Sequence, residues 1–253
     1  MNPTTHVNVY DSRSAAYQRA FQVFLDHTDQ KAKARNWLDQ CVQRLPSRGL
    51  FVDAGAGNGK VTAWFSHAFR RTVAIEPNPH LCAELRGTCP AAEVLPTTIL
   101  ASAPPAAADL VLCSHVLYYI PEADRLLHLE RLASWLGVGG VLVVIVQNRR
   151  TDCMRMLDHF LGQRFDLSAL CRRFQAVRGE QYAIELETVP AHVATPDFDA
   201  AYTVAEFMLN VLPVPHPPAR RELEEYVRKH LAVPEGGYRF SCDQDILEIR
   251  PRS

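Results

Sequence analysis

The sequence predicts an α/β fold in which a mostly parallel sheet is covered by helices on both faces. Three observations support this prediction. Apolar runs alternate with segments of helical periodicity between residues 50 and 146, as in consecutive βαβ units. The run GGVLVVIV at 139–146 is apolar almost throughout, which is typical of a parallel strand buried on both faces. A glycine-rich segment at 55–59 separates the first such run from the helix pattern that follows it.

Composition excludes several functional classes. The chain has 253 residues and a formal net charge of −1, with 47% hydrophobic and 22% charged residues. Such a neutral chain lacks the field expected of a protein that binds nucleic acid or an anionic membrane surface. The longest apolar run, 141–146, is far shorter than the ~20 residues of a membrane span. The N-terminus has no apolar signal-peptide core, so we expect a cytoplasmic protein.

Cysteine and histidine usage argues against a metal centre. The 7 cysteines are odd in number and widely spaced, and no CxxC, HxxxH or HExxH occurs. A disulfide framework or zinc site is therefore not expected. We predict reduced and mostly buried thiols.

The first half of the chain alternates between predicted helices and predicted strands. Two helices are predicted over 12–45, with Thr28 or Asp29 capping the second. Strands are predicted from residue 50 and over 72–76, 92–96, 108–114 and 139–146, with helices over 80–88 and 122–136 between them.

After residue 150 the pattern changes. Helical stretches are predicted over 152–174, 203–212 and 218–231, and a strand over 182–189. Residues 238–250 alternate between apolar and polar side chains, which favours an edge strand.

The glycine-rich segment and one acid together suggest a ligand site. Asp53 ends the first strand, Gly55, Gly57 and Gly59 follow it, and Glu76 ends the next strand. Glycines at a strand-to-helix turn let the backbone approach a ligand closely. An acid at the end of the second strand can accept hydrogen bonds from both ribose hydroxyls. We therefore predict a nucleoside site at the carboxyl edge of the sheet.

Two related phosphate-binding motifs do not fit. A dinucleotide loop requires GxGxxG, whereas Lys60 occupies the sixth position counted from Gly55. The Walker motif fails because Val61 stands where Ser or Thr is required.

The segments D-A-G-A-G-N-G at 53–59 and E-P-N at 76–78 resemble those of class I S-adenosylmethionine (SAM)-dependent methyltransferases over about residues 48–148. The resemblance implies a seven-stranded mixed sheet whose last strand is antiparallel, with SAM as cofactor. It places the methionine moiety along the glycine loop, the ribose on Glu76, and adenine near the end of the third strand. The implied cofactor-binding residues are Asp53, Gly55, Ala56, Gly57, Glu76, Pro77, Asn78, Thr97, Thr98 and Ser114.

A narrower resemblance extends over most of the chain. The segments YQRAFQVFLDHT at 17–28, CSHVLYYI at 113–120 and the C-terminal stretch from 217 to 249 are similar to the histamine N-methyltransferase family. The resemblance implies that an N-terminal helical lid, 1–47, covers the cofactor, and that Tyr118 and Tyr119 line the amine pocket. Residues 48–253 would form the methyltransferase fold as part of one globular unit, with 150–237 contributing the substrate pocket.

The chain departs from that family at three positions. The family's amine-binding carboxylate aligns with Gln30, or with Asp29 after a one-residue shift. A pocket amide aligns with His115, and an asparagine near the last strand aligns with Cys242 or Asp243. Histamine itself is therefore not the expected substrate.

Several side chains are candidates for the chemistry. His115 follows the fourth strand and can act as a base, since a free imidazole titrates near ~6.5. A tyrosine ring at 118 or 119 can stabilise a sulfonium by cation–π contact; we expect one ring to face the site and the other to pack. Asn148 follows the fifth strand and can orient an amine or the cofactor carboxylate. Tyr17 is a candidate lid residue, as is Tyr10, and Tyr182 is a weaker candidate for the pocket.

Three functions compete. The first is N-methylation of a small amine, with S-adenosylhomocysteine as product. The second is cyclisation of SAM to azetidine-2-carboxylate, which releases methylthioadenosine and needs no second substrate. The third is a non-catalytic cofactor-binding module, which the intact glycine loop and Glu76 argue against. In each case we expect a small-molecule ligand, no nucleic acid or membrane partner, and a monomer or homodimer.

Overall fold

The computed structural model describes residues 5–11, 14–163 and 165–252, so predictions that fall on residues 1–4, 12, 13, 164 and 253 lie outside the described residues. Within these ranges the α-helices are α1 (Ala15–His27), α2 (Gln30–Gln43), α3 (Thr62–Phe65), α4 (Pro79–Thr88), α5 (Arg125–Ala133), α6 (Asp152–Leu161), α7 (Leu167–Arg178), α8 (Phe198–Leu209) and α9 (Arg220–His230). The strands are β1 (Leu50–Ala54), β2 (Arg71–Ile75), β3 (Glu93–Leu95), β4 (Ala108–Ser114), β5 (Leu136–Gln147), β6 (Tyr182–Val189), β7 (His192–Thr195), β8 (Tyr238–Ser241) and β9 (Gln244–Pro251).

Seven strands form one mixed sheet in the order β3-β2-β1-β4-β5-β9-β6. The pairs β1–β2, β1–β4, β2–β3 and β4–β5 are parallel, and the last strand is antiparallel. The predicted fold class is therefore confirmed.

Burial on both faces explains the apolar strand sequences. All five residues of β1 are buried, as are residues 140–147 of β5. In the register of the sheet Val52 lies opposite Val73 on one side and Val111 on the other. The carboxyl ends of these parallel strands meet at one edge, where the loops after β1, β2 and β4 can converge on a ligand.

The C-terminal segment corrects one prediction. Residues 238–250 were expected to form an edge strand, but they form two strands. β8 pairs with β7 in a separate two-stranded antiparallel sheet, while β9 lies between β5 and β6 inside the large sheet. The edge strand on that side is β6. The expectation was wrong because alternation reports which face of a strand is buried and says nothing about whether both of its edges are paired.

Two compact units are built from interleaved stretches of chain. Unit 1 comprises residues 1–34, 147–165 and 189–244, and unit 2 comprises residues 35–146, 166–188 and 245–253. The seven-stranded sheet belongs to unit 2 apart from single terminal residues of β5, β6 and β9. The division at residue 47 that the sequence suggested stays a prediction. No helix among the described residues is long and apolar enough to cross a membrane.

Unit 1 begins with a segment that is fastened to its helices. Residue 5 accepts a hydrogen bond from the Arg220 backbone, and Val7 donates one to the Pro218 carbonyl. Ser14 caps α1 by accepting from the backbone N–H of Tyr17 at 3.1 Å. The next helix, α2, starts after Thr28, whose hydroxyl oxygen accepts from the backbone N–H of Gln30 at 3.2 Å.

Candidate nucleoside-binding and active site

The loop after β1 requires glycine for its backbone conformation. Gly55, Gly57 and Gly59 have φ values of 84°, 56° and 81°, in the left-handed region that other residues resist. A Cβ at Gly55 would lie 2.3 Å from Cγ2 of Val116, whereas a Cβ at Gly57 would have no atom within 4 Å. The loop thus packs tightly at its first glycine and leaves open space beside its second.

The loop is also tied to the end of β2. The backbone N–H groups of Gly55 and Ala56 both donate to the carbonyl of Ile75, at 2.8 and 3.0 Å. The next residue, Glu76, is therefore held beside the loop.

Glu76 is buried and its carboxylate is oriented by the main chain. The N–H of Gly57 donates to Oε2 and the N–H of Asn78 donates to Oε1, each at 2.9 Å. Each carboxylate oxygen can accept a further hydrogen bond, so the group can take two ribose hydroxyls without moving. Together with the open space beside Gly57, this arrangement fits an adenosine ligand such as that of SAM.

Asp53 is the second buried acid of the loop, with 2% of its surface exposed. The hydroxyl of Thr62, the first residue of α3, donates to Oδ2 at 2.6 Å. Burial raises the pKa of Asp53 to about 7; the hydrogen bond from Thr62 opposes this shift and the nearby charge of Glu76 adds to it. A cationic ligand at the loop would favour the ionised form.

The remaining predicted cofactor contacts lie around this loop. Thr97 is half-buried and its N–H donates to the Leu95 carbonyl at 2.9 Å, while Thr98 and Pro77 are exposed. Asn78 caps α4, since its side chain accepts from the backbone N–H of His80 at 2.9 Å. Its presence after Glu76 therefore has a structural reason besides the predicted contact with adenosine.

The end of β4 carries an unusual backbone conformation. His115 has a φ of 59°, the one positive value outside glycine among the described residues, and its N–H donates to the Ile145 carbonyl at 2.8 Å. Such a conformation is uncommon outside glycine, although Asn, Asp and His adopt it more often than other residues, and it concentrates at functional sites. This backbone conformation fixes the direction of the imidazole at the end of β4. Ser114, the residue before His115, is half-buried.

The two tyrosines after β4 have different surroundings. Tyr118 is 7% exposed, its hydroxyl lies 3.4 Å from Nδ1 of His115, and the two ring centroids are 5.9 Å apart. Tyr119 is 65% exposed. The structure thus brings His115 and Tyr118 together and directs Tyr119 outward.

Among the pocket candidates of unit 1, Gln30 and Cys242 are adjacent. Gln30 is buried and its side-chain amide donates to the Cys242 carbonyl at 2.8 Å. The thiol of Cys242 lies 3.5 Å from the Thr28 hydroxyl, and burial raises the pKa of the thiol to about 12. This pair is neutral and offers no carboxylate to a cationic substrate.

Asn148 and Asp243 form a second adjacent pair in unit 1. The backbone N–H of Asn148 donates to the Asp243 carbonyl at 2.8 Å, and the Asp243 carboxylate accepts from the backbone N–H of Ala191 at 2.9 Å. The side-chain oxygen of Asn148 accepts from the Arg150 N–H at 2.7 Å and so orders the turn before α6.

The last two candidates lie in aromatic surroundings. Tyr17 belongs to a ring cluster in unit 1 and lies 5.5 Å from Phe207 between centroids. Tyr182 starts β6, where its ring lies 5.7 Å from Phe174 and its hydroxyl donates to the Ala133 carbonyl at 3.4 Å. Ala133 ends the helix that precedes β5, so Tyr182 is not brought to the carboxyl edge of the sheet.

Two residues that position the loop were not singled out from the sequence. Thr62 binds Asp53, and Val116 fills the space that a side chain at residue 55 would need. A hydroxyl residue at the start of the helix after a glycine loop is a signal that could have identified Thr62.

The structure also places the cysteines and the potential metal ligands. All 7 cysteines are free thiols. Six of them are buried, which agrees with the predicted burial. In the part of the chain that the structure describes, no group of three or more His, Cys, Asp or Glu side chains is placed to hold a metal ion.

Comparison with known proteins identifies the family. A family model described as a methyltransferase domain matches residues 25–183, well over half of the chain. A comparison with curated proteins finds no significant match.

Solved structures share the fold at low sequence identity. A methyltransferase from Bacillus halodurans C-125 is 13% identical, with a TM-score of 0.62 over 85% of this chain and 97% of its own. The N-methyltransferase NodS of Bradyrhizobium japonicum, in complex with S-adenosyl-L-homocysteine, is 13% identical, with a TM-score of 0.56 over 95% of this chain and 100% of its own. The magnesium protoporphyrin IX methyltransferase of Synechocystis, with bound SAM, is 13% identical, with a TM-score of 0.51 over 95% and 86% of the two chains.

The predicted similarity to class I methyltransferases is thereby confirmed in fold, whereas the narrower similarity to histamine N-methyltransferase stays a prediction. The glycine loop, the oriented carboxylate of Glu76 and the sheet order agree with the family-model match. The chain belongs to the methyltransferase domain family.

Proposed function

We propose that the protein is a SAM-dependent N-methyltransferase that acts on a small amine. The observation that carries the proposal is the close approach of Gly55 to Val116, which joins the glycine loop to the end of β4. His115 directly precedes Val116, so its backbone adjoins the glycine loop, and the Tyr118 hydroxyl lies 3.4 Å from Nδ1 of its imidazole.

The chain's own residues supply binding, orientation and a proton acceptor. When bound, SAM supplies a methyl group activated by the sulfonium. Glu76 holds the ribose, the open side of Gly57 admits the ligand, and Asp53 adds a negative charge near the cation. The acceptor nitrogen forms a bond to the methyl carbon while the carbon–sulfur bond breaks and its electron pair goes to sulfur. The proton released from the amine goes to the imidazole of His115. Holding the two reactants in line accounts for much of the acceleration in such transfers.

Cyclisation of SAM is the second candidate, and one observation favours it. Gln30 and Cys242 are buried, neutral and hydrogen-bonded to each other, so this pair offers no anion for the ammonium of a second substrate. In this reaction the α-amino nitrogen of the methionine moiety attacks Cγ, the Cγ–sulfur bond breaks, and methylthioadenosine leaves. The product is azetidine-2-carboxylate, and the amine proton again goes to a base such as His115.

Two incubations separate these functions. The protein is incubated with SAM alone and then with SAM and a panel of small amines, and the nucleoside products are separated by chromatography. S-adenosylhomocysteine that forms only when an amine is present supports methyl transfer. Methylthioadenosine formed from SAM alone supports cyclisation and contradicts methyl transfer. Binding without either product supports a non-catalytic module.

The cofactor site is tested independently by calorimetric titration of Glu76→Gln with SAM. We expect at least a tenfold weaker affinity, because the amide loses the charge that strengthens hydrogen bonds from the ribose hydroxyls. The matched control is Glu84→Gln, an exposed acid on α4 that pairs with His80. Equal affinities in the two variants would contradict the assignment of Glu76.

A further inference from the structure

The turn after β4 holds an imidazole and a phenol against each other. The hydroxyl of Tyr118 lies 3.4 Å from Nδ1 of His115, and the two rings lie 5.9 Å apart between centroids with their planes at 29°. Tyr118 belongs to the short 3-10 helix Leu117–Tyr119 and is 7% exposed. Both rings lie in unit 2, as do the glycine loop and Glu76.

The main chain fixes the point at which the imidazole is attached. The left-handed backbone of His115 is held by the hydrogen bond from its N–H to the Ile145 carbonyl. The next residue, Val116, packs beside Gly55 of the glycine loop. The imidazole can therefore move only by rotation about its side-chain bonds, and the Tyr118 hydroxyl limits that rotation through its contact with Nδ1.

The direction of this hydrogen bond decides what the imidazole can do. In a neutral imidazole one nitrogen carries a hydrogen and the other carries a lone pair, and a phenol can donate or accept. If Tyr118 donates to Nδ1, then Nε2 carries the hydrogen and cannot accept a proton. If Nδ1–H donates to the phenol oxygen, the lone pair is on Nε2 and this atom can act as a base.

The protonated ring is compatible with the second direction only. An imidazolium carries a hydrogen on each nitrogen, so Nδ1 must then donate to the Tyr118 oxygen. A bond that already runs from Nδ1 to the phenol oxygen stays as it is when Nε2 takes a proton. Such preorganisation spares the reaction the cost of rotating the hydroxyl during proton transfer.

We propose that Tyr118 is a positioning residue that accepts a hydrogen bond from Nδ1–H of His115 and so makes Nε2 the proton acceptor. The inference rests on the proposed function, since it names the atom that takes the amine proton in that transfer. The N–H bond of the methylated ammonium breaks, its electron pair stays on nitrogen, and the proton bonds to the lone pair of Nε2. The ring becomes an imidazolium, whose charge strengthens the hydrogen bond from Nδ1 to Tyr118.

Nitrogen-15 NMR of protein labelled in its histidine rings tests the assignment without any acceptor. The signals of His115 are identified by their absence from the spectrum of His115→Asn. Spectra recorded where the imidazole is neutral, with and without S-adenosylhomocysteine, should show the hydrogen on Nδ1 in the wild-type protein. Tyr118→Phe keeps the buried ring and removes the hydroxyl, so it should abolish this preference. The matched control is Tyr226→Phe: this ring packs on the imidazole of His159 at 5.1 Å between centroids, but its hydroxyl makes no hydrogen bond within the described ranges of the chain.

The rate of methyl transfer supplies a second test, with phenethylamine, tyramine and tryptamine as the first amines of the panel. We expect Tyr118→Phe to lower kcat by about tenfold, as for the loss of one hydrogen bond, with the KM for SAM unchanged. Tyr226→Phe should leave kcat as it is. In the His115→Asn background Tyr118→Phe should have no further effect, because Tyr118 acts through the imidazole. A residue that only fills space would lower both rates by the same factor.

Two kinds of result overturn the inference, and they are distinguishable. A hydrogen on Nε2 in the wild-type protein, or equal effects of Tyr118→Phe with and without the imidazole, would overturn the role of Tyr118 and leave methyl transfer intact. Wild-type protein that binds SAM but forms no S-adenosylhomocysteine with any amine would overturn the proposed function, and the inference with it, whichever nitrogen carries the hydrogen.

Discussion

At the scale of single residues, the two buried acids beside the glycine loop, Glu76 and Asp53, differ in their hydrogen-bond donors. Each carboxylate oxygen of Glu76 accepts a hydrogen bond from a backbone N–H group. Asp53 is more deeply buried and accepts a hydrogen bond from the Thr62 hydroxyl. Burial raises the pKa of Asp53 to about 7. Its protonation therefore changes within the range in which enzymes are assayed, and this gives a measurable pH dependence.

The pKa of Asp53 predicts opposite pH trends for stability and for binding. A folded-state pKa raised from 3.8 to about 7 means that the folded protein holds this proton more tightly. The stability contribution of this group is present below pH 4 and is lost as the pH rises through about 7. Affinity for the cationic SAM should instead rise over that interval, because ionised Asp53 attracts the sulfonium.

The measurement is a calorimetric titration with SAM at several pH values. Thr62→Val should move the midpoint of the affinity change to higher pH, since the hydrogen bond from Thr62 lowers the pKa of Asp53. Asp53→Asn should abolish the change. A wild-type affinity that is flat from pH 5 to 9 would show that Asp53 does not titrate in this range.

The glycines of the loop should differ in their tolerance of alanine. Gly57→Ala should lower the free energy of unfolding by only ~1–2 kcal/mol, the cost of a left-handed conformation with a Cβ, because no atom lies within 4 Å of that Cβ. Gly55→Ala should cost more, since its Cβ would lie 2.3 Å from Val116. Denaturant unfolding measures the free energy of unfolding of both variants. Equal losses would contradict the tighter packing at Gly55.

His115 should affect turnover more than binding. His115→Asn keeps a residue that tolerates the left-handed backbone and removes the imidazole. We expect a rate 10²–10⁴-fold lower, the usual contribution of a general base, with SAM affinity unchanged. The matched control is His128→Asn on α5, where the ring is exposed and contacts the Asp124 carbonyl. Full activity of His115→Asn would show that the imidazole takes no part in the reaction.

At the scale of elements, Glu206 of α8 fastens the N-terminal segment 5–11. Glu206 is 4% exposed and accepts hydrogen bonds from the Asn8 backbone at 2.9 Å, the Tyr10 hydroxyl at 2.5 Å and the Tyr202 hydroxyl at 3.0 Å. Burial and the adjacent carboxylate raise the pKa of both tyrosine hydroxyls, so they remain donors. One carboxylate thus joins the segment to its helix.

Glu206→Gln should loosen this segment, because the amide nitrogen cannot accept from the donors around it. We expect a loss of about 2 kcal/mol of unfolding free energy, the order of a lost charged hydrogen bond, and faster amide exchange at residues 7–10. The control is Glu225→Gln, which breaks an exposed ion pair with Arg221 and should cost under ~0.5 kcal/mol. Unchanged exchange at residues 7–10 would contradict the role of Glu206.

The elements also show what the sequence could predict. Strands β1, β2, β4 and β5 were found because buried parallel strands are short apolar runs. The small sheet of β7 and β8 was missed, since each strand has four residues and little periodicity. Glu76 and the glycines were identified from their order along the chain. Thr62 was missed, although a hydroxyl residue at the start of the helix after a glycine loop is a local pattern that could have identified it.

At the scale of the whole molecule, the seven-strand order makes the last strand an interior one. Leu247 on β9 is 0% exposed, whereas Leu186 on the edge strand β6 is 36% exposed. Leu247→Ala should therefore cost ~2–5 kcal/mol of unfolding free energy, and Leu186→Ala less than ~1 kcal/mol. Urea unfolding of the two variants measures the difference. Similar losses would contradict the deeper burial of Leu247.

The interior position of β9 has a consequence for how the protein is made. The strand between β5 and β6 is supplied by residues 244–251, which leave the ribosome after both neighbouring strands. Until then β5 and β6 each have an unpaired edge, and such edges can pair with other chains. The gap between β5 and β6 can therefore be filled only after residues 244–251 have been synthesised, and the nascent chain passes through a stage in which β5, one of the most apolar strands, is open to aggregation or chaperone binding.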